Sequence, residues 1–400
     1  MEGYNKKVIM SYWTICRMKT TKKIYVKVSI IFLLGGILLF SSCEKEENQK
    51  IEANRKTLFM YLPWSSNLTN YFYNNISDLE KCITKIGLNN EKVIVFISTG
   101  STEAMMFEIV SSHGRCKREI LKKYKSPPFT TIDGITAILN DVKAFAPASV
   151  YTMIIGCHGM GWLPVYEMKV RSAPHMKMHW EYQGVPLTRY FGGLTAEYQT
   201  DIKSLASGIA NAGMKMEYIL FDDCYMSSIE VAYELKDVTK YLIGSTSEMM
   251  AYGMPYAAIG EYLLGNPDYQ SGCEEFYNFY STYEIMPCGT LAVTDCSELE
   301  NMAAIIKSIN SKYSFDKSLR GTIQRLDGYT PVIFYDFADY ITSLCNDPIL
   351  LNQFREQLNH LVPYKTHTKN FYTMAKGIIP INTFSGITTS DPSDNPMTVR

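Results

Sequence analysis

The spacing of apolar residues changes repeatedly between two patterns along most of the chain, and these changes predict a succession of strands and helices. Short runs rich in β-branched and aromatic residues predict strands, whereas apolar residues spaced three and four apart predict helices. The predicted strands are 57–64, 92–99, 149–156, 216–222, 240–245 and 291–294, with 104–111 and 118–124 as a small antiparallel extension. The predicted helices are 67–86, 131–145, 201–212, 227–235, 297–310, 337–344 and 347–361.

The predicted strands are apolar throughout and alternate with the predicted helices. Such strands are typical of a parallel sheet that helices cover on both faces. We therefore expect an α/β fold with a mostly parallel sheet in residues 56–260, and an α/β carboxyl-terminal subdomain, 261–400, packed on this core. Capping signals support two helix starts. They are Ser66 or Asn67 before the first helix, and a capping box formed by Ser297 and Glu300.

Two of the predicted strands end close to reactive side chains. His158 follows the strand 149–156, and Cys224 follows the strand 216–222. Neighbouring parallel strands bring such residues to the same edge of a sheet, where an imidazole can take the proton of a thiol and leave a nucleophilic thiolate. The backbone N–H groups of Gly159 and Cys224 could then form an oxyanion hole. The alternative is that His158 and Cys224 simply fill the core at strand ends.

Four segments in chain order resemble those of the clostripain-like cysteine peptidases, which are related to caspases, legumain and gingipains. The similarity is useful from about residue 57 to 246. The matches are His158-Gly159-Met160-Gly161-Trp162 with H-G-x-G-W, Thr188-Arg189-Tyr190-Phe191-Gly192 with T-R-x-F-G, Phe221 to Met226 with F-D-x-C-x-M, and Glu230 to Leu235 with E-x-A-Y-E-L. The resemblance implies a caspase-like fold and an endopeptidase that cleaves after basic residues, with Cys224 as nucleophile and His158 as proton-transfer partner.

The resemblance also implies a role for Asp222, because in such enzymes the acidic residue two before the cysteine lines the pocket for the residue before the cleaved bond (P1). A guanidinium pairs bidentately with a carboxylate, whereas an ammonium binds as a point charge. We therefore expect Arg to be preferred at P1 and Lys to be possible. Asp222 could instead cap the following helix. Asp223 is expected to be a cap or a solvent-facing partner.

Some positions depart from the family's pattern. Cys157 stands where relatives commonly carry an acidic residue, so the imidazole of His158 must be oriented by another group, such as a backbone carbonyl. Residues 243–248 resemble a strand that ends in an S-E pair but carry extra residues, and 249–255 replace an aromatic-rich substrate loop. These departures keep a second hypothesis open, a catalytically weak or silent relative that binds peptide or a partner protein.

A long polar insert, 163–187, separates the two reactive segments. Segments of this length without periodicity are disordered or functional. Relatives often cleave themselves in this interval after a basic residue, which makes Lys169, Arg171 and Lys177 hypothetical processing sites. The insert also carries His175 and His179, but no third metal ligand is indicated beyond nearby Glu181. No cofactor is expected; calcium, which some relatives need, has no EF-hand-like loop to support it.

The amino terminus resembles a bacterial lipoprotein signal peptide. Basic residues from Lys19 to Lys27 precede an apolar stretch, 28–40, and small residues then lead to Cys43. This stretch is shorter than the ~20 residues that span a bilayer. We expect a leader, 1–43, with Met18 as the true start and Cys43 as the lipidated residue, followed by a charged linker, 44–55. An uncleaved anchor and ordinary secretion are the alternatives.

This leader predicts a location in the bacterial cell envelope, on the outer membrane and facing either the periplasm or the outside. The lipid would be the only contact with the membrane. The last ten residues are polar and contain no predicted helix or strand, so truncation of the chain relative to its relatives stays a hypothesis.

Composition narrows the possible partners. The chain has 400 residues and a net charge of −1, so it lacks the basic excess that a nucleic-acid partner requires. Peptides or proteins are the expected substrates, and the oligomeric state stays open. Most of the ten cysteines are scattered without a C-x-x-C spacing, which favours free thiols over disulfides or zinc. A bridge between Cys288 and Cys296 remains the alternative.

Overall fold

A nine-stranded sheet is the framework of the protein in the computed structural model, which describes residues 54–65, 67–163, 165, 184–189 and 198–391. Its strands are β1 (Asn54–Leu62), β2 (Glu91–Ser98), β3 (Glu103–Ser112), β4 (Arg115–Lys125), β5 (Ala148–Ile155), β6 (Met216–Phe221), β7 (Thr239–Gly244), β8 (Thr290–Asp295) and, after the short strand β9 (Tyr335–Asp336), β10 (Tyr364–His367). Two small pairs lie outside it. They are β11 (Asn370–Thr373) with β12 (Gly377–Pro380), and β9 with β13 (Thr388–Thr389).

The strand order is β10-β8-β7-β6-β5-β1-β2-β3-β4. The five central strands, β7, β6, β5, β1 and β2, are mutually parallel, and each outer strand is antiparallel to its inner neighbour. The predicted α/β class with a mostly parallel sheet is therefore confirmed. Strands β8 and β10 come from residues beyond 260 and still belong to this sheet. The subdomain boundary at 260 stays a prediction.

Helices cover both faces of the sheet. They are α1 (Thr69–Ile86), α2 (Ile132–Phe145), α3 (Ile202–Asn211), α4 (Ile229–Leu235), α5 (Tyr256–Leu263), α6 (Tyr269–Ser281), α7 (Leu299–Asn310), α8 (Phe337–Leu344) and α9 (Pro348–Leu361). Successive β1 residues alternate between two cores: Phe59 packs with α2 and α3, and Met60 packs with α1 and α5. This alternation explains why the strands are apolar throughout.

Two predicted helix starts are wrong. Helix α1 begins after Leu68 without a side-chain cap, because the Asn67 side chain bonds elsewhere; Ser66 lies outside the described residues. The helix predicted at Ser297 begins instead with a 3₁₀ turn, Cys296–Glu298, and α7 follows from Leu299. Asp295 caps that turn by accepting from the Ser297 N–H, so the capping box of Ser297 and Glu300 does not form.

The register of the central strands brings three loops to one edge. Tyr61 of β1 is level with Ile155 of β5, and Ile155 is level with Phe221 of β6. The chain forms β2 on one side of β1 and returns to form β5 on the other side, so the loops that leave these strands open a crevice at the carboxyl edge. The residues directly after β1, β5 and β6 therefore lie side by side.

Every described cysteine is a free thiol, Cys288 and Cys296 included. Within the described ranges, no helix has the length and apolarity needed to cross a membrane. The leader with Cys43, the linker up to residue 53 and most of the insert, including Lys169, Arg171, His175, Lys177, His179 and Glu181, lie outside the described residues.

Candidate active site

The two loops that carry His158 and Cys224 touch through their backbones. A Cβ atom on Gly159 would lie 2.2 Å from the carbonyl oxygen of Cys224 and 3.0 Å from its backbone nitrogen. Only glycine therefore fits at position 159 without moving one of the two loops. In the structure, the missing side chain of Gly159 allows close approach of the Cys224 backbone.

Cys224 is fully buried in the turn that follows β6. Its Sγ accepts a hydrogen bond from the backbone N–H of Met249 at 3.1 Å. Burial, reinforced by the nearby carboxylate of Glu248, raises the pKa of the Cys224 thiol well above its ordinary value. The next residue, Tyr225, has φ of 61° and stacks on Phe334, so packing holds the turn in a conformation that non-glycine residues rarely adopt.

His158 is buried on the neighbouring loop. Its Nε2 lies 2.8 Å from Oδ1 of Asn67, which comes from the loop after β1. An amide oxygen in this position selects the tautomer that carries a proton on Nε2. The side-chain amide of Asn67 therefore helps to orient the imidazole of His158 in the structure. The sequence did not indicate this partner.

Asp223 holds the histidine loop and does not face solvent. The carboxylate is buried, accepts the Cys157 N–H through Oδ1, and lies 3.4 Å from the Cys157 thiol through Oδ2. Burial raises the pKa of Asp223 well above its ordinary value. The expectation of a cap or solvent-facing role is therefore wrong: Asp223 ties the loop after β6 to the loop after β5.

Asp222 forms the floor of a closed pocket. Its carboxylate accepts hydrogen bonds from the Met254 N–H at 2.8 Å and the Tyr256 hydroxyl at 2.9 Å. It also forms an ion pair of 2.9 Å with Arg189, and both side chains are completely buried. Burial raises the pKa of Asp222, and the Arg189 guanidinium opposes that shift. Ser228, and not Asp222, caps the following helix α4.

Arg189 fills this pocket with its guanidinium. Nη1 donates to the carbonyl of Asp222 at 2.8 Å, Nη2 donates to Oδ1 of Asn75, and Nε donates to the carbonyl of Ala251 at 3.3 Å. The guanidinium also lies 5.4 Å from the ring centre of Phe72. A buried charge is tolerable only when it is paired and its donors are bonded, and this pocket satisfies both conditions for an arginine.

The backbone of residues 187–189 runs as an added strand across the site. Arg189 donates its N–H to the carbonyl of Met249 at 2.7 Å, and Ala251 donates its N–H to the carbonyl of Leu187 at 2.9 Å. The carbonyl oxygen of Arg189 accepts from the Gly159 N–H at 3.4 Å. The peptide bond after Arg189 therefore begins beside Gly159. This glycine belongs to the loop that carries His158 and contacts the turn that carries Cys224.

Thr188 points to the other side of this added strand and contacts a buried carboxylate. Its hydroxyl donates to Oε2 of Glu248 at 2.6 Å. Glu248 also accepts from the Tyr225 hydroxyl at 2.9 Å and from the Met374 N–H at 3.0 Å. Burial raises the pKa of Glu248 to about 7, and these three hydrogen bonds oppose the shift.

A cavity of about 90 Å³ lies beside His158. Cys157, Asp223 and Tyr198 contribute to its wall. Within the described ranges, no group of three or more His, Cys, Asp or Glu residues could hold a metal ion.

The site contains three residues to which sequence reasoning gave no role. Arg189 and Glu248 stood inside segments that resembled family motifs, and Asn67 appeared only as a possible helix cap. The available signal for Arg189 was a basic residue in the segment Thr188 to Gly192, which lies between the two reactive segments. Nothing in the pattern linked Asn67 to His158, since the two are distant in sequence and meet only through the pairing of β1 with β5.

Comparisons with known proteins show the family of the chain. A model of the clostripain family matches residues 60–379. A secreted C11 cysteine protease from Bacteroides thetaiotaomicron, iotapain, is 58% identical, with a TM-score of 0.79 over 86% of this chain and 95% of that chain. A clostripain from the same species, solved with the peptide inhibitor BTN-VLTK-AOMK, is 63% identical, with a TM-score of 0.50 over 52% of this chain and 98% of that chain.

A more distant structure has the same fold. An inactive zymogen C11 protease from Parabacteroides distasonis is 24% identical, with a TM-score of 0.70 over 86% of this chain and 93% of that chain. A search among curated proteins found no match.

Proposed function

Because the chain belongs to the clostripain family and is a cysteine peptidase, we propose that it cleaves peptide bonds after basic residues, Arg in preference to Lys, through Cys224 and His158. One observation carries the proposal. The chain's own Arg189 lies against Asp222, and its carbonyl oxygen accepts from the Gly159 N–H, as a bound substrate residue would. The pocket forms hydrogen bonds with Nη1, Nη2 and Nε of a guanidinium, whereas an ammonium would leave some of these acceptors unpaired.

The proposed reaction has two halves. In the first, His158 takes the thiol proton of Cys224, and the thiolate attacks the P1 carbonyl carbon while the N–H groups of Gly159 and Cys224 stabilise the oxyanion. His158 then returns the proton to the leaving amine, which yields a thioester. In the second half, His158 removes a proton from water, and the hydroxide attacks the thioester carbon. The C–S bond then breaks, the thiolate of Cys224 takes the proton from His158, and the product leaves with a free carboxyl group.

The position of Arg189 supports self-cleavage of the bond between Arg189 and Tyr190. This bond lies just beyond the insert in which processing was expected. The inhibitor named for the Bacteroides clostripain contains the letters LTK, and this chain has Leu187, Thr188 and Arg189 in the pocket, with a basic residue in the same place. Before cleavage, Arg189 occupies the pocket of Asp222, so the intact chain is expected to be inactive toward other substrates.

The second candidate is a peptide-binding protein without turnover. The observation that favours it is the set of hydrogen bonds in the closed site, since the Cys224 thiol is bonded to Met249 and the imidazole of His158 is bonded to Asn67. A segment that never leaves the pocket would make such a protein permanently closed. The two candidates differ in whether the chain cuts itself and other peptides.

The test uses purified protein and fluorogenic peptides that differ only at P1, with Arg, Lys or a neutral residue. We expect wild type to process to two pieces and to cleave the Arg peptide fastest. Cys224→Ala should remain intact and inactive, and Arg189→Gln should process slowly while still folding around Asp222. Equal signal from wild type and Cys224→Ala would refute peptidase activity, and faster cleavage of the neutral peptide would refute the role of Asp222.

The location is a separate proposal. We propose that Cys43 is lipidated and tethers the protein to the outer membrane of a bacterial envelope. A similar protein, iotapain, is described as secreted, which is compatible with export. Cells grown with a clickable fatty acid should label the wild-type protein and leave Cys43→Ala unlabelled and no longer in the membrane fraction. Equal labelling of the two proteins would rule the anchor out.

A further inference from the structure

The residue before the cleaved one has its own recognition group in this structure. Thr188 precedes Arg189, and its hydroxyl donates to Oε2 of the buried Glu248 at 2.6 Å. We propose that Glu248 is a specificity-determining residue that selects a hydroxyl-bearing side chain, Thr or Ser, at the substrate position P2. This inference rests on the proposed peptidase function and concerns the same cleft.

Backbone pairing makes the contact general for any extended substrate. The backbone of Leu187 is hydrogen-bonded to that of Ala251, and the backbone of Arg189 to that of Met249. Between them, Thr188 forms an antiparallel β-bridge with Met250. Successive side chains of an extended chain point to opposite sides. A substrate whose P1 side chain reaches Asp222 therefore directs its P2 side chain toward Glu248, whichever protein it comes from.

Two parts of the chain hold the Glu248 carboxylate in place before a substrate arrives. The Tyr225 hydroxyl, from the turn after β6, donates to Oε1, and the Met374 N–H, from the segment after β11, donates to Oε2. A preorganised and buried acceptor discriminates strongly, because an analogue that lacks the hydroxyl leaves a carboxylate oxygen desolvated without its partner. Valine has the shape of threonine without that hydroxyl, so it should be rejected.

The charge of Glu248 gives a second signature. Burial raises the pKa of Glu248 to about 7, and a donated hydroxyl favours the ionised form. The titratable groups around it are Tyr225, Tyr372, Cys224 and Asp327, of which Asp327 adds to the upward shift. A P2 hydroxyl therefore binds better when Glu248 is ionised, and the preference for Thr over Val should increase as pH rises through 7.

The experiment compares two Arg peptides, identical except for Thr or Val at P2, cleaved by the full-length wild-type protein after it has processed itself. We expect kcat/KM to be about 10-fold to 100-fold higher for Thr, the range typical of a hydrogen bond to a charged group. The ratio should be larger at pH 8 than at pH 6. Any pH effect on Cys224 or His158 affects both peptides and cancels in the ratio.

Variants assign the preference to Glu248. Glu248→Ala should bring the Thr to Val ratio to about 1, and Glu248→Gln, which keeps the shape, should retain a smaller ratio that no longer changes with pH. Glu261→Ala, which removes a partly exposed carboxylate of α5, is the matched control and should leave the ratio unchanged.

The outcomes separate this inference from the peptidase proposal. Wild-type cleavage of both peptides with equal kcat/KM would overturn the role of Glu248 and leave the peptidase proposal intact. An undiminished ratio in Glu248→Ala would do the same. A wild-type protein that cleaves neither Arg peptide would overturn both.

Discussion

At the scale of single residues, the ion pair between Asp222 and Arg189 dominates the site. Both groups are fully buried, so each depends on the other for compensation of its charge. The guanidinium of Arg189 also donates to Asn75 and to backbone carbonyls, so its buried donors have hydrogen-bond partners. Removing either partner should therefore cost far more than a surface ion pair would.

Asp222→Asn tests this pair in two ways. The unprocessed protein should lose about 3–5 kcal/mol of unfolding free energy, because Arg189 stays buried without its counter-charge. Cleavage of Arg peptides by processed protein should fall by about 100-fold or more in kcat/KM. Urea unfolding of a Cys224→Ala background and peptide kinetics measure the two effects. Asp141→Asn, which removes a partly exposed carboxylate near Lys122, is the control; an equal loss in both variants would contradict a specific role for Asp222.

Gly159→Ala is a sharper test of the loop contact. The added methyl group would lie 2.2 Å from the Cys224 carbonyl oxygen, so one loop must move. We expect kcat/KM to fall by about 100-fold, since displacement by about 1 Å has that cost in an active site. Gly100→Ala, at a turn with open space around it, should retain full activity. Wild-type kinetics in Gly159→Ala would mean that the two loops can separate without consequence.

The sequence indicated His158 and Cys224 because each follows a long apolar strand, a strong local signal. It did not indicate the place of Arg189, because the pocket around that side chain is assembled from α1, the loop after β6 and the loop after β7. Asp223 was misjudged for a related reason. An aspartate after a strand is commonly a cap, and only the approach of Cys157 from the neighbouring strand makes it an internal acceptor.

At the scale of elements, the segment around β13 supports both loops of the site. The Ser227 hydroxyl donates to the Gly386 carbonyl at 2.8 Å, and the Thr388 N–H donates to the Ser227 carbonyl at 3.0 Å. The indole N–H of Trp162 donates to the Ser390 hydroxyl at 2.8 Å. One short segment therefore restrains the residue three after Cys224 and the residue four after His158.

Shortened chains test this support. A chain that ends after Ser385 should lose peptidase activity and several kcal/mol of unfolding free energy, because buried groups of Ser227 and Glu230 lose their partners. A chain that ends after Asp391 keeps these contacts and should behave as wild type. Processing and denaturant midpoints measure the difference, and full activity in the shorter chain would exclude a supporting role for β13.

Elements were predicted well where the apolar period was long and less well at their ends. The central strands and α8 follow the pattern because burial on a fixed face determines it. The start of α1 was placed too early because Asn67 bonds His158 instead of the helix, and α7 was placed too early because Asp295 supports a 3₁₀ turn first. Local propensity does not report which of two partners a side chain chooses.

At the scale of the whole molecule, the proposed cleavage after Arg189 divides the chain without dividing the sheet. Strands β1 to β5 precede the bond and β6 to β8 follow it, and β5 pairs with β6 in parallel along the centre. Both hydrophobic cores also contain residues from either side of the bond. The pieces should therefore hold together through most of the contacts that stabilise the intact protein.

We expect processed protein to give two bands on a denaturing gel and one peak of unchanged volume in size exclusion. Because the pieces share a buried sheet, separation should require denaturant concentrations that unfold the protein. The intact Cys224→Ala protein gives the reference elution volume. Two separate peaks in buffer would show that the cleaved chain does not keep this architecture.

The proposed self-cleavage after Arg189 would also set the time at which the protein becomes active. A ligand that is part of the same chain meets its pocket at an effective concentration in the millimolar range, and dilution does not change it. Conversion of the intact chain to the cleaved form would then be first-order, with a rate constant that does not depend on the concentration of the protein. Each molecule would therefore be inactive toward other proteins when it is made, and the rate of its own cleavage would set the delay before it becomes active.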